Sequence, residues 1–194
     1  MEKPKLMVVG HARHGKDTVC EELTQHGWTF RPTTKLIGEL VVYPILKSRY
    51  GYQNFGECFV DRVNHRREWF DLIAIYNYSD PARLAKLVYE TSDIYCGIRR
   101  FEELKEVKKQ VDCLTIWVEA GKRQPKEGKS CTIEKSQADI ILYNNGSRAD
   151  LQKNIDLMVD FIERNVATLP YNGFVVEIDG VAEVKEIGYE NTSR

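Results

Sequence analysis

The chain has no Cys-x-x-Cys pair, almost no net charge and no apolar run near the ~20 residues that a bilayer crossing needs. Each absence removes a class of protein. Without the apolar run, no membrane-spanning helix is expected. With 28 basic and 29 acidic residues the net charge is −1, which gives no general pull toward nucleic acid or a membrane surface. The five cysteines, at 20, 58, 96, 113 and 131, are odd in number and show no paired spacing. They read as reduced thiols of a cytoplasmic protein, with Cys96 and Cys113 as core filler, not as a disulfide framework. Met1-Glu2-Lys3-Pro4 runs straight into an apolar segment, so no secretory leader is expected. No internal repeat is present. What remains is an ordinary composition, 42% hydrophobic and 29% charged over 194 residues, which suits one domain with a sizeable core.

One segment departs from the ordinary: Gly10-His-Ala-Arg-His-Gly15-Lys16-Asp17-Thr18. It has the spacing of a phosphate-binding loop, Gly, four residues, Gly, Lys, then Ser or Thr, with aspartate in the last place and Thr18 just after it. The flanks supply the context that such a loop needs. Leu6-Met7-Val8-Val9 reads as a buried parallel strand, and Val19 and Leu23 are spaced as on an amphipathic helix. Glycines at 10 and 15 let the backbone wrap an anion closely, and the helix N-terminus adds partial positive charge. Lys16 brings a full charge to the β- and γ-phosphates of a nucleotide. The candidate cofactor-binding set is therefore Gly10, Arg13, His14, Gly15, Lys16, Asp17 and Thr18. His11 and His14 read as loop substituents and not metal ligands, because no metal-ligand spacing accompanies them. Asp17 has two open readings. It is a ligand for Mg²⁺, replacing the usual hydroxyl, or a carboxylate placed favourably at a helix start.

Elements then alternate as an α/β fold requires. Residues 28–32 read as a short strand or extended entry, and 35–50 as a helix that Pro44 must kink or divide. Residues 51–59 lack periodicity and read as a loop. Arg66–Tyr76 is an amphipathic helix. Ser79-Asp80-Pro81 starts another that runs to about Glu90. Strand, helix, strand, an irregular polar stretch, strand and a final helix, 147–164, follow. In 165–194, Phe174–Ile178 and Val181–Ile187 flank Asp179-Gly180, a strong hairpin signal. The expected organisation is one α/β domain over 1–164 and a β-hairpin extension with a tail over 165–194. The hairpin would pack on the core or on a second copy in a homodimer. The tail, Asn191–Arg194, reads as disordered.

Gly-Lys-Asp-Thr at the loop end resembles the bacteriophage deoxynucleoside monophosphate kinases, within the thymidylate-kinase-like P-loop kinases. Ile94–Arg99 with Glu102 and Glu103, Thr115–Val118, and Ala138–Gly146 resemble that family's later core strands and the elements after them. The resemblance covers residues 5 to about 164. It implies a three-layer α/β P-loop kinase fold with a parallel central sheet, ATP and Mg²⁺ as cofactors, and phosphate transfer to a deoxynucleotide. It also implies that 120–132, with Lys122, Arg123, Lys126 and Lys129, is a short lid. Arg123 is then the catalytic cation beside Lys16, since a guanidinium binds two oxygens at once. The bland alternative is a solvated basic loop.

An acceptor phosphate also needs arginines. Arg99 ends a core strand, where ligands of parallel sheets lie, and is a candidate catalytic and substrate-binding residue. Arg62 and Arg66 are four apart and, on one helix, would share a face. They complete the candidate clamp, against the plain reading of an exposed charged helix face. Two family features are missing. No apolar strand ends in a metal-binding aspartate, which leaves Asp17 as the metal candidate with Asp93 or Glu119 behind it. The Asp-Arg-Tyr/Phe signature of cellular thymidylate kinases is matched only by Asp61-Arg62-Val63. The favoured acceptor is a free deoxynucleoside 5′-monophosphate. The alternatives are the hydroxymethyl group of 5-hydroxymethyluracil in phage DNA, a modified pyrimidine that must be extruded, and a nucleotide-binding switch without turnover.

Overall fold

Leu6, Met7, Val8 and Val9 are all fully buried in the computed structural model, which describes residues 3–126, 128, 131–165 and 174–186. A strand buried on both faces belongs inside a parallel sheet covered by helices. The strands are β1 (Lys5–Val9), β2 (Ile94–Cys96), β3 (Cys113–Glu119), β4 (Ile140–Tyr143), β5 (Phe174–Ile178) and β6 (Ala182–Glu186). They form one six-stranded sheet in the order β2-β1-β3-β4-β5-β6, parallel except for the β5–β6 hairpin. The order reverses direction between β1 and β3. In such sheets that switch point, at the carboxyl ends of the strands, is where ligands bind.

The helices are α1 (Lys16–Leu23), α2 (Thr33–Ile37), α3 (Tyr43–Tyr50), α4 (Phe55–Asp61), α5 (Arg66–Asn77), α6 (Arg83–Tyr89), α7 (Phe101–Gln110) and α8 (Arg148–Asn165). Strand side chains alternate between two cores. Leu6 and Val8 join Val19, Leu23, Ile155 and Met158, from α1 and α8, on one face. Met7 and Val9 join Ile37, Leu84, Val88 and Leu104, from α2, α6 and α7, on the other. A third, smaller core gathers Val42, Leu46, Tyr52, Cys58 and Trp69 among α3, α4 and α5. The expected mostly parallel α/β architecture is therefore present. Among the described residues, no helix is long and apolar enough to cross a membrane.

Several local expectations change. The Asp179-Gly180 hairpin forms, but its first strand continues the central sheet by pairing parallel to β4. Val175, Val176 and Ile178 are buried, which suits an inner strand, whereas Val181–Lys185 are exposed. Residues 28–32 contribute one parallel bridge, Phe30 to Ile94. The 35–50 segment is divided, as Pro44 requires. A π-helical turn spans Gly38–Val42, and Pro44 sits in the first turn of α3. Trp69 packs so closely on Gly38 that a β-carbon there would lie 2.6 Å from the ring. Most of the expected loop over 51–59 is instead helical: α4 starts at Phe55, capped by Asn54 Oδ1, which accepts the Glu57 N–H at 3.0 Å. The helix expected from Pro81 begins at Arg83, because the Asp80 carboxylate instead closes a turn by accepting the Ala82 N–H at 2.9 Å. The tail 191–194 and Lys129 lie outside the described residues.

Candidate functional site

The glycine loop leaves β1 at the switch point and enters α1. Gly10 has φ +139°, and a β-carbon there would stand 2.7 Å from the Val118 carbonyl oxygen. Gly15 is the N-cap of α1 at φ +95°, and a β-carbon there would collide with Asn144 Nδ2. Both positions need glycine, for backbone angle and for space. Arg13 adopts φ +64°, so the loop curls tightly between them. No side chain caps α1, which leaves its first-turn N–H groups open to an anion. Lys16 Nζ meanwhile donates to the Gly10 and His11 carbonyls at 2.9 and 2.7 Å, folded back over the loop.

The loop is braced from below. His14 is fully buried, and its Nδ1 accepts the Ala120 N–H at 3.1 Å. Its side chain pins the chain leaving β3, so any contact it makes with a ligand is through its main chain. Asn144, at the end of β4, donates from Nδ2 to the His14 carbonyl at 2.9 Å, and its own N–H donates to the Glu119 carbonyl at 2.7 Å. The Glu119 carboxylate accepts from the Gly121 N–H at 2.7 Å and from Trp117 Nε1 at 3.1 Å. Burial works against ionisation of Glu119, but these bonds outweigh it and hold its carboxyl below the usual range. Asn144 lies within the 138–146 segment singled out in the sequence, but nothing there assigned it a contact with the loop. An asparagine at a strand end reads simply as a turn residue.

Beside the loop lies a cavity of about 710 Å³. Five cations line it: Arg13, Lys16, Arg62, Arg66 and Arg99. Two carboxylates, Asp17 and Glu21, and the rings of Phe30, Trp69, Phe70 and Tyr95 share the lining. The two candidate sets, loop and arginine clamp, thus meet in one space. They do so by a different route from the one the spacing suggested. Arg62 and Arg66 do not share a helix: α4 ends at Asp61 and α5 starts at Arg66, with His65 as its N-cap. The turn between them still brings both to the cavity. The Arg62 guanidinium lies 5.5 Å from the Trp69 ring centroid. Neither Arg62 nor Arg66 has a carboxylate partner among the described residues. Tyr95, buried under the cavity, donates its hydroxyl to Glu103 at 3.3 Å, and burial and that carboxylate both raise its pKa well above the usual phenol value.

Asp17 is exposed at the cavity wall, and its Oδ1 accepts a weak bond from Cys96 Sγ at 3.6 Å. Thr18 is half-buried behind it and does not line the cavity. Asp93 stands at the other end of the sheet, before β2, bonded to Lys5 Nζ at 2.8 Å and to the Thr29 hydroxyl at 2.6 Å, so it is remote from the loop. Glu119 is at the right end of β3 but spends both oxygens on the loop brace. Arg123 lies outside the cavity lining, with Nε donating to the Asn144 carbonyl at 2.7 Å. Lys122 and Lys126 are exposed. All five cysteines are free thiols, and Cys96 and Cys113 are buried in the two main cores as expected. Among the described residues, no group of three or more His, Cys, Asp or Glu forms a metal cluster. No family model, curated protein or solved structure matches the chain.

Proposed function

We propose that the protein is an ATP-dependent P-loop kinase that phosphorylates the 5′-phosphate of a free deoxynucleoside monophosphate. One observation carries the reading: Lys16 and Asp17 of the glycine loop and Arg62, Arg66 and Arg99 line a single cavity. A phosphate seated on the loop and a second anion gripped by the arginines would face each other there. The volume falls within the ~300–1,000 Å³ of small-molecule sites, and the aromatic walls suit a base.

In the reaction, an oxygen of the acceptor phosphate bonds to the γ-phosphorus, the bond to the β-phosphate bridging oxygen breaks, and ADP leaves. The protein's part is positioning and charge neutralisation. Lys16 would exchange its two carbonyl partners for phosphate oxygens. Arg66, Arg62 and Arg99 would hold the acceptor in line and offset repulsion between two anions. Arg123 would swing from the Asn144 carbonyl to the transferring group. The Asp17 carboxylate is exposed, and among the described residues it is hydrogen-bonded only to a thiol, so it would be free to act as a ligand for Mg²⁺. Bound there, the ion would offset charge on the phosphates.

The test offers γ-labelled ATP with each free deoxynucleoside monophosphate, then with plain and 5-hydroxymethyluracil DNA. Label in a free nucleotide is the expected result. Label confined to the modified DNA would move the assignment to a DNA kinase, and no transfer to any acceptor would leave a nucleotide-binding switch.

A further inference from the structure

His65 sits between two carboxylates, one on each side of the turn that carries the cavity arginines. Its Nε2 is 3.1 Å from Asp61 Oδ2, at the end of α4, and its Nδ1 is 3.8 Å from Glu68 Oε2, in the first turn of α5. A carboxylate only accepts, so Nε2 carries a proton. Both carboxylates are themselves held in place. Asp61 accepts from the Tyr52 hydroxyl and from Asn64 Nδ2, each at 2.6 Å. Glu68 accepts from the Tyr50 hydroxyl at 2.8 Å and pairs with Arg49. The imidazole also lies against the Tyr50 ring, with centroids 4.2 Å apart. The turn beneath closes through Asn64 N–H to the Asp61 carbonyl at 2.9 Å and His65 N–H to the Arg62 carbonyl at 3.1 Å.

We infer that His65 is the positioning residue of the arginine wall, and that its two carboxylate contacts govern capture of the acceptor phosphate. The inference rests on the acceptor reading of the cavity given above. The imidazole sets Nε2 against Asp61 and Nδ1 toward Glu68, and so ties α4 to α5 across residues 62–65. That fixes the directions in which Arg62 and Arg66 leave the chain. Without these contacts the turn loosens and acceptor capture weakens. Other charged and polar groups facing the ring are accounted for. Arg49 is engaged by Glu68, and Tyr52 by Asp61.

The experiment measures binding of a deoxynucleoside monophosphate by calorimetry, with acceptor KM, ATP KM and kcat in parallel, for wild type, His65→Gln and Glu68→Gln. Both variants are expected to bind the nucleotide about three- to fivefold more weakly than wild type, the size of one exposed ion-pair contact. ATP KM and kcat should stay within about twofold of wild type, a margin under 0.5 kcal/mol. Glu68→Gln keeps the imidazole, so it decides the matter if His65→Gln does not fold. Wild-type affinity in the folded variants, or a loss confined to kcat, would overturn the inference. Binding that behaves as described without any label transfer would sink the kinase assignment and leave the His65 inference standing. Wild type that binds no nucleotide would overturn both.

Discussion

The two walls of the cavity are built on opposite principles. On the loop wall, every side chain that shapes the backbone is bonded: His14 to Ala120, Asn144 to His14, Glu119 to Gly121 and Trp117. Even Lys16, which faces the cavity, spends its ammonium on two carbonyls. On the arginine wall, Arg62 leans on aromatic rings and Arg66 is exposed, with no carboxylate to neutralise either among the described residues. The first wall fixes a geometry before any ligand arrives. The second holds charge that is left for a ligand to complete. On the proposed reading, this is the division that phosphoryl transfer needs: a preorganised seat for the transferring group, where precision lowers the barrier, and a compliant grip on the acceptor.

The largest effect should come from the rigid wall. Lys16→Ala is expected to lower turnover by about a hundredfold or more, the loss typical of a charged transition-state contact. Its melting temperature should stay near that of wild type, because Lys16 belongs to none of the three hydrophobic cores. Turnover equal to wild type in the folded variant would end the assignment. Gly10→Ala should fail differently. Its β-carbon meets the Val118 backbone oxygen at 2.7 Å, and its φ of +139° strains any other residue. It is expected to lose both activity and stability, which thermal melts and turnover would show together.

The compliant wall should respond in binding and not in stability. Arg66→Ala is expected to raise acceptor KM about ten- to hundredfold, the range for a charged hydrogen bond, while leaving ATP KM unchanged. The melting temperature should not fall, since Arg66 supports no packing. Arg62→Ala should lose less affinity but also some stability, because its guanidinium covers Trp69. A large stability loss in Arg66→Ala, or equal effects on both substrates, would erase the contrast between the walls.

Asp17 stands where the walls meet. Asp17→Asn is expected to raise the Mg²⁺ needed for half activity severalfold, and Asp17→Ser to restore part of it through a hydroxyl in the usual place. An unchanged Mg²⁺ requirement would return Asp17 to the simpler role of a carboxylate at a helix start.

The rigid wall was legible in the sequence and the compliant wall only in part, for a physical reason. Gly10 to Lys16 is a local device: the same few residues specify the turn, the positive φ angles and the helix start. The buried parallel strands were legible too, because Leu6–Val9 and Ile140–Leu142 are continuous apolar runs. The arginine wall depends on tertiary assembly. Spacing of four implies a shared face only on an unbroken helix, and the helix breaks at Arg62–His65. Helix α4 escaped notice because Gly51 and Gly56 hide its short apolar pattern. Asn54-x-x-Glu57, a cap residue with an acid three further on, was the signal that could have found it. That Phe30, Trp69 and Tyr95 share a cavity follows from three separate elements, which no local pattern can join.

The smallest effect should come from the far end of the sheet, and it guards the comparison against a trivial explanation. Asp93 is as densely bonded as any residue of the loop wall, to Lys5, to the Thr29 N–H and to the Thr29 hydroxyl. Burial alone would raise its pKa, but these bonds prevail and hold its carboxyl below the usual range. A depressed folded-state pKa means that the stabilisation is complete above the unfolded value, ~3.9, and is lost as pH falls through the folded one. Asp93→Asn should therefore cost about 1–2 kcal/mol at pH 7, roughly 2–8 °C in melting temperature. The gap from wild type should narrow below about pH 4, as the native carboxylate protonates. Turnover and both KM values should match wild type, because Asp93 lies beyond the amino end of β2, opposite the loop. If its removal lowered turnover as Lys16→Ala does, dense bonding anywhere in the sheet would be enough to explain loss of activity. The loop wall would then have no special claim.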